Sequence, residues 1–212
     1  MKSVIVCGGG SVSDYASLHR YFEGAGLVIC ADSGARHLRN LNIEPDVLIG
    51  DFDSISSKDY DAYINAGVET VQYPAEKDMT DAQLALELAV EKGCREIVLL
   101  GALGTRLDHS MANVFLLKRL LDAGIKGMIA DERNEAVLID KSICIKREQG
   151  MKVSLIPVTG AARGVTTQGL YYPLTDATLE LGSTWGVSNE FSEETACVTL
   201  KEGLLLVIKS RD

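Results

Sequence analysis

The chain has 212 residues, 46% of them hydrophobic and 24% charged, with a formal net charge of −9. That is the composition of a soluble globular protein of one or two domains. No apolar run approaches the ~20 residues of a membrane span, and the acidic balance disfavours nucleic acid, which is met by basic patches.

The N-terminus carries one charge and a short apolar run, so it reads as a first strand and not as a signal peptide. Cys7, Cys30, Cys94, Cys144 and Cys197 are far apart and contain no Cys-x-x-Cys pair. They predict reduced, mostly buried thiols in a cytoplasm, with neither a zinc site nor a disulfide framework.

Residues 3–7 form a strand-like run, followed by Gly8-Gly9-Gly10. A helix is expected from Ser13, which can cap it. A second strand covers 27–31 and ends in Asp32-Ser33-Gly34; a short helix over 35–41 leads past Pro45 to a third strand, Val47-Leu48-Ile49. Helix is expected over 57–66, strand over 69–73, and helix over 80–92, where Leu84, Leu88 and the alanines form a stripe that Gly93 stops. Strand 97–100, helix 108–123 and strand 128–130 follow. Strands alternating with helices imply a mostly parallel sheet covered on both faces.

After about residue 131 the pattern changes. Strand-like runs recur at 136–139, 143–146, 153–156, 164–167, 195–200 and 204–209, punctuated by Gly, Pro, Asp and Asn. That is the mark of a small antiparallel sandwich or barrel. The expected fold is therefore α/β: a mostly parallel sheet flanked by helices over 1–131, then a smaller all-β sandwich-like domain over 135–212. A piece so small buries too little surface to stand comfortably alone, so it is expected to lean on the first domain or on a second subunit.

Five loops of the first domain and one of the second carry the chemistry. Asp51 and Asp53 follow the third strand, and in extended backbone such residues point to one side. Both carboxylates then aim past the strand's carboxyl end, where open parallel sheets place their ligands. Carboxylate oxygens suit Mg²⁺, although Gly, Asp and Ser also make an ordinary solvated turn. Gly8-Gly9-Gly10 lets backbone approach a phosphate but lacks the Gly-Lys-Ser/Thr of a P-loop. Asp32 reads as a helix cap or as a further acid at the same edge. In Lys77-Asp78-Met79-Thr80-Asp81, Asp78 or Thr80 caps the following helix, or Asp78 joins the metal as a third carboxylate. In the segment from Gly101 to Asn113, Arg106 suits phosphate oxygens, Asp108 suits a helix cap or a substrate hydroxyl, and His109 is a base or merely structural. In the second domain the only tryptophan, Trp185, lies in a Gly/Ser/Asn loop with Ser188 and Asn189. It reads either as core or as a stacking platform for a flat ligand.

Together these segments resemble the thiamine pyrophosphokinase (thiamin diphosphokinase) family. The matching stretches are Ala31-Asp32-Ser33-Gly34, Pro45-Asp46 with Gly50-Asp51-Phe52-Asp53-Ser54, Lys77-Asp78-Met79-Thr80-Asp81, Gly104-Thr105-Arg106-Leu107-Asp108-His109 with Asn113, and Trp185-Gly186-Val187-Ser188-Asn189-Glu190. The resemblance implies transfer of a diphosphoryl group from ATP to the hydroxyethyl oxygen of thiamine, releasing AMP and requiring Mg²⁺. It implies a homodimer whose thiamine pocket forms between subunits. By the same resemblance Asp51, Asp53 and Asp78 hold the metal with Asp32 nearby. Arg106 and Asp108 face the phosphates and the reacting hydroxyl. Asp32, Gly34, Thr80, Asp81 and Asn113 belong to the nucleotide site, and Trp185, Ser188 and Asn189 to the thiamine pocket. Two alternatives differ from this reading: a diphosphokinase for another heterocyclic alcohol such as a hydroxymethyl pterin, and a non-catalytic nucleotide or thiamine diphosphate binding module.

Overall fold

Short runs of buried aliphatic residues become strands in the computed structural model, which describes residues Met1–Asp212 as two units, Met1–Glu132 and Arg133–Asp212. In the first unit β1 (Lys2–Val6), β2 (Ala25–Ala31), β3 (Val47–Gly50), β4 (Glu69–Gln72), β5 (Glu96–Leu100) and β6 (Lys126–Ala130) run parallel in the order β4-β3-β2-β1-β5-β6. Successive strands step outward from β1 to β4, then the chain returns to place β5 on the other side of β1. The strand order reverses at β1/β5, and the loops that leave these two strands diverge there. Such a switch point opens a crevice outside the carboxyl ends of a parallel sheet.

The connecting helices are α1 (His19–Phe22), α2 (Ala35–Leu41), α3 (Ser57–Ala66), α4 (Asp81–Glu91) and α5 (Leu107–Asp122). On one face of the sheet Val4, Val6, Cys30, Leu48, Val98 and Leu100 form a core with Leu18, Tyr21, Leu38, Leu41 and Tyr63. The alternate residues Ile5, Ile29, Ile49, Ile97 and Leu99 are fully buried too, as the period-two geometry of a sheet covered on both faces demands. α4 packs on β1, β2 and β3, and α5 on β6. The first helix starts later than Ser13. The Ser13 backbone N–H and Oγ both donate to the Glu132 carboxylate at 2.7 and 2.9 Å. The would-be cap is spent on that long-range contact, and a 3₁₀ turn (Ala16–Leu18) precedes α1.

The second unit is all antiparallel. Its strands are β7 (Asn134–Ile139), β8 (Ser142–Lys146), β9 (Lys152–Pro157), β10 (Ala161–Gln168), β11 (Ala177–Glu180), β12 (Thr195–Thr199) and β13 (Leu205–Ser210). β7-β13-β9 and β11-β10-β12-β8 form two layers. Inward residues of both, among them Val153, Leu155, Val165, Leu179, Val198 and Val207, share one core, which makes a sandwich. The sequence misses β11, whose only fully buried side chain is Leu179. It also misjudges two cysteines. Cys144 and Cys197 are directly opposed on β8 and β12 and are joined by a disulfide, whereas Cys7, Cys30 and Cys94 are free and buried. No helix is long and apolar enough to cross a membrane.

Candidate active site

The loops after β1, β2 and β5 and the start of α4 enclose a cavity of about 630 Å³ at the switch point, within the size range of small-ligand sites. Gly8, Asp32, Ser54, Thr80, Arg106 and His109 are part of its wall. Gly34 follows the Asp32 turn so closely that a Cβ there would collide with the Val6 carbonyl. Only glycine lets this turn pack down onto β1.

Three carboxylates meet beside the cavity. Asp32, Asp51 and Asp53 each bring an oxygen to within 4.8 Å of the others, and Asp32 also belongs to the cavity wall. The convergence does not arise from strand alternation. β3 ends at Gly50, and Phe52, between the two acids, has a left-handed backbone with φ 65°. Its ring packs against Tyr60 with centroids 5.3 Å apart and joins the core of that face. Packing of the half-buried ring holds the bend, and the bend turns both carboxylates to one side. Asp32 is itself left-handed at φ 44°. A non-glycine residue in this region costs on the order of 1–3 kcal/mol, the kind of strain that collects at functional sites. Its Oδ2 accepts from Ser54 Oγ, while its Oδ1 is buried without a hydrogen-bond partner.

The electrostatics are divided. Asp51 Oδ1 accepts from the Asp53 backbone N–H at 3.3 Å and Oδ2 from Lys77 Nζ at 3.1 Å. These bonds hold the Asp51 carboxyl below its usual range. The charge of Asp51 in turn pushes Asp53 up. An all-carboxylate oxygen set with one buried, unsatisfied oxygen is a donor set for a hard divalent cation, and the residues fit Mg²⁺. Asp78 is not part of this group; it is exposed in the loop before α4. Thr80 is the residue that caps α4, its Oγ1 accepting from Gln83 N at 3.3 Å. Asp81 pairs with Lys77 at 2.8 Å, so Lys77 bridges Asp51 and Asp81.

At the head of α5, Arg106 clasps Asp108 through Nε–Oδ1 at 3.2 Å and Nη2–Oδ2 at 2.7 Å. The guanidinium lowers the Asp108 carboxyl to about 2. Asp108 therefore stays ionised and is a weak base, suited to fixing Arg106 and orienting a donor. His109 lines the cavity and is exposed. Asn113 is buried and donates to the Ala102 carbonyl at 2.8 Å, which ties down the loop that carries Arg106.

In the second unit Trp185 is 62% exposed and is not core. Ser188 is exposed with φ 60°, its N–H donating to Ser154 Oγ at 3.1 Å. Asn189 is buried and both ends of its amide are engaged: Nδ2 donates to the Tyr172 carbonyl at 2.7 Å, and Oδ1 accepts from Tyr172 N and Glu190 N. It fastens the Tyr171-Tyr172 loop to the Trp185 loop. Tyr171 and Tyr172, edge to face with centroids 4.9 Å apart and both about two-thirds exposed, add aromatic surface that sequence reasoning missed. Adjacent tyrosines carry no periodic signal. Arg36, in the cavity wall, was missed because one arginine in a short helix reads as a solvated face.

Known proteins and family models match this chain over most of its length. The family described as "Thiamin pyrophosphokinase, catalytic domain" matches residues 18–129, and "Thiamin pyrophosphokinase, vitamin B1 binding domain" matches residues 141–205. A thiamine pyrophosphokinase of Bacillus subtilis (strain 168) is 31% identical over 214 residues, covering 100% of both chains. Thiamine pyrophosphokinase 1 of Oryza sativa subsp. japonica is 29% identical over 90% of this chain and 81% of its own. Among solved structures, thiamine pyrophosphokinase from Bacillus subtilis superposes with a TM-score of 0.90 at 30% identity over the whole of both chains. Thiamin pyrophosphokinase from Geobacillus thermodenitrificans gives 0.85 at 33% identity, covering 100% of this chain and 98% of that one. The matched segments include the carboxylate turn, the Arg106 loop and the Trp185 loop, and the chain belongs to the thiamin pyrophosphokinase family.

Proposed function

We propose that the protein is a thiamine diphosphokinase that moves the diphosphoryl group of ATP onto the hydroxyethyl oxygen of thiamine, giving thiamine diphosphate and AMP. The observation that carries this reading is the convergence of Asp32, Asp51 and Asp53 beside a switch-point cavity whose wall includes glycines and arginines. Asp32, Asp51 and Asp53 would hold Mg²⁺; Asp78 is joined to them by resemblance. The ion, when bound, neutralises phosphoryl oxygens and eases approach of the hydroxyl to phosphorus.

The chain's own residues do the rest. Arg106, planar and held by Asp108, presents donors to phosphate oxygens where charge builds on transfer. Asp108, ionised across the working pH range, accepts a hydrogen bond from the thiamine hydroxyl and orients its lone pair. Thr80, Asp81, Gly34 and Asn113 shape the nucleotide pocket by holding the loops in place.

Trp185 stacks the flat, cationic thiamine rings, and Ser188 offers a hydroxyl to a ring edge; Tyr171 and Tyr172 stand on the loop that Asn189 ties to the Trp185 loop. Asn189 sets the shape of that loop. The protein works as a homodimer with the thiamine pocket between subunits. Two sets of exposed apolar side chains support this: Leu107, Met111 and Phe115 at i, i+4 spacing on α5, and Leu181, Trp185 and Val187 in the second unit. Surfaces of this kind mark interaction sites. A cytoplasmic location fits the three buried free thiols and runs against the Cys144–Cys197 disulfide, a bond rare in that compartment.

The test is AMP release by purified protein with ATP and Mg²⁺, offered thiamine or a hydroxymethyl pterin. Thiamine-dependent AMP formation supports the reading. AMP only with the pterin, or none with either acceptor, removes it.

A further inference from the structure

Arg36, the second residue of α2, lines the same cavity as Arg106, but the two arginines are used differently. Arg106 has its charge paired with Asp108 through Nε and Nη2, with Nη1 left for phosphate, and Lys77 is neutralised between Asp51 and Asp81. Arg36 meets no carboxylate. Its hydrogen bonds run from Nη2 to the carbonyl oxygens of Gly8 and Gly10, both at 2.6 Å. A guanidinium has five N–H donors. Nη2 supplies two of them, which leaves Nε and Nη1 unspent and the positive charge without a counter-ion in the cavity wall.

The glycine segment is clamped from its other side as well. Gly9 N donates to the Gly101 carbonyl at 2.7 Å, and a Cβ on Gly9 would stand 2.5 Å from that same oxygen. A Cβ on Gly8 would collide with the Ser33 side chain. The segment is thus a bare-backbone wall, fixed behind by the β5–α5 loop and in front by Arg36. A nucleoside triphosphate that enters here brings several negative charges towards Asp32 and Asp81, which are also in the wall.

We propose that Arg36 is a second phosphate-contacting arginine of this site. Its Nη2 pins the Gly8 to Gly10 turn, and its Nε and Nη1 take phosphate oxygens of the nucleoside triphosphate. The inference rests on the proposed function and gives the glycine turn a role as the wall against which the triphosphate lies.

The test uses the full chain, three Arg36 variants and Arg106→Ala as a control. ATP binding is measured by calorimetry with Mg²⁺, the KM values for ATP and thiamine by steady-state rates, and amide exchange over residues 8–11 by mass spectrometry. Arg36→Gln keeps donors for the carbonyls without the charge. It should weaken ATP by roughly ten- to hundredfold, the scale of a charge-assisted contact, with the thiamine KM and the melting temperature unchanged. Arg36→Lys, which keeps the charge, should recover part of that loss. Arg36→Ala should lose as much ATP affinity as Arg36→Gln and also speed exchange at residues 8–11, which Arg106→Ala should not do. Wild-type ATP affinity in Arg36→Gln overturns the phosphate contact, and unchanged exchange in Arg36→Ala overturns the pin. If the wild type itself binds no ATP, the proposed function fails and this inference with it. If the wild type binds ATP and all three Arg36 variants match it, Arg36 alone is misassigned.

Discussion

Asp51 and Asp53 lie two positions apart and are pushed in opposite directions, Asp51 down by the Asp53 amide and Lys77, Asp53 up by the charge of Asp51. As pH falls, Asp53 takes up a proton first and the site loses a ligand charge. Activity should therefore fall on the acid side, and raising Mg²⁺ should move that limb to lower pH; rate profiles at two Mg²⁺ concentrations check this. The Asp51 contacts contribute stability that is fully present above the ordinary carboxylate range and is lost as pH falls below that range through the lowered folded-state value. Asp32→Asn, Asp51→Asn and Asp53→Asn should each cut turnover by a factor on the order of a hundred or more, the scale of one electrostatic group at a reacting centre. The Mg²⁺ needed for half-maximal rate should rise in all three, and less in Asp78→Asn, which stands outside the group. Near-wild-type rates in every variant at ordinary Mg²⁺ would remove the metal assignment. Arg106→Lys should be damaging although charge is kept, because an ammonium cannot copy the two-pronged contact with Asp108 or with phosphate. The loss belongs mainly in kcat if the contact tightens in the transition state. A fully active lysine variant would reduce Arg106 to a structural residue.

At the scale of elements, local signals were legible wherever they decide the structure locally. α3 has Ser56 as its cap and Gly67 as its left-handed stop, and α4 has Thr80. What escaped was set by distant partners. Ser13 is claimed by Glu132 across the unit, and β11 is a strand because β10 offers it a ladder. The bend at Phe52 depends on a tertiary pocket, so alternation pointed to two acids that do converge for a reason that does not operate. Asp32 reads in sequence as a helix cap or as a further acid at the same edge, and the fold turns it towards them. The Cys144–Cys197 bridge follows from strand register, which spacing cannot show across a separation of 53 residues. A loop of that size is worth about 2–4 kcal/mol when closed. The double variant Cys144→Ser/Cys197→Ser should therefore melt several degrees lower than the oxidised protein and together with the wild type once both are reduced. Coincident melting before reduction, or five titratable thiols in the purified unfolded protein, would show that the bridge does not form.

For the whole molecule the decisive side chain is Trp185. At 62% exposure it contributes little to the core of its own subunit, so below the dimer constant Trp185→Ala should melt close to the wild type, as surface substitutions usually do. A flat aromatic cation stacked on it would gain roughly 0.5–2 kcal/mol, so the KM for thiamine should rise by up to about thirtyfold while that for ATP barely changes. Thiamine should quench the fluorescence, and with a single tryptophan the signal has one source. The exposed Leu107, Met111 and Phe115 stripe and the aromatic loops of the second unit are covered in the proposed dimer. Dilution below the dimer constant should then abolish the quench and the activity together. Three results would break this chain of reasoning at different links. A large loss of stability in Trp185→Ala would make the residue structural. An intact thiamine KM with no quench would move the ring platform elsewhere. A quench and a turnover that persist in a demonstrated monomer would show that one subunit builds the pocket alone.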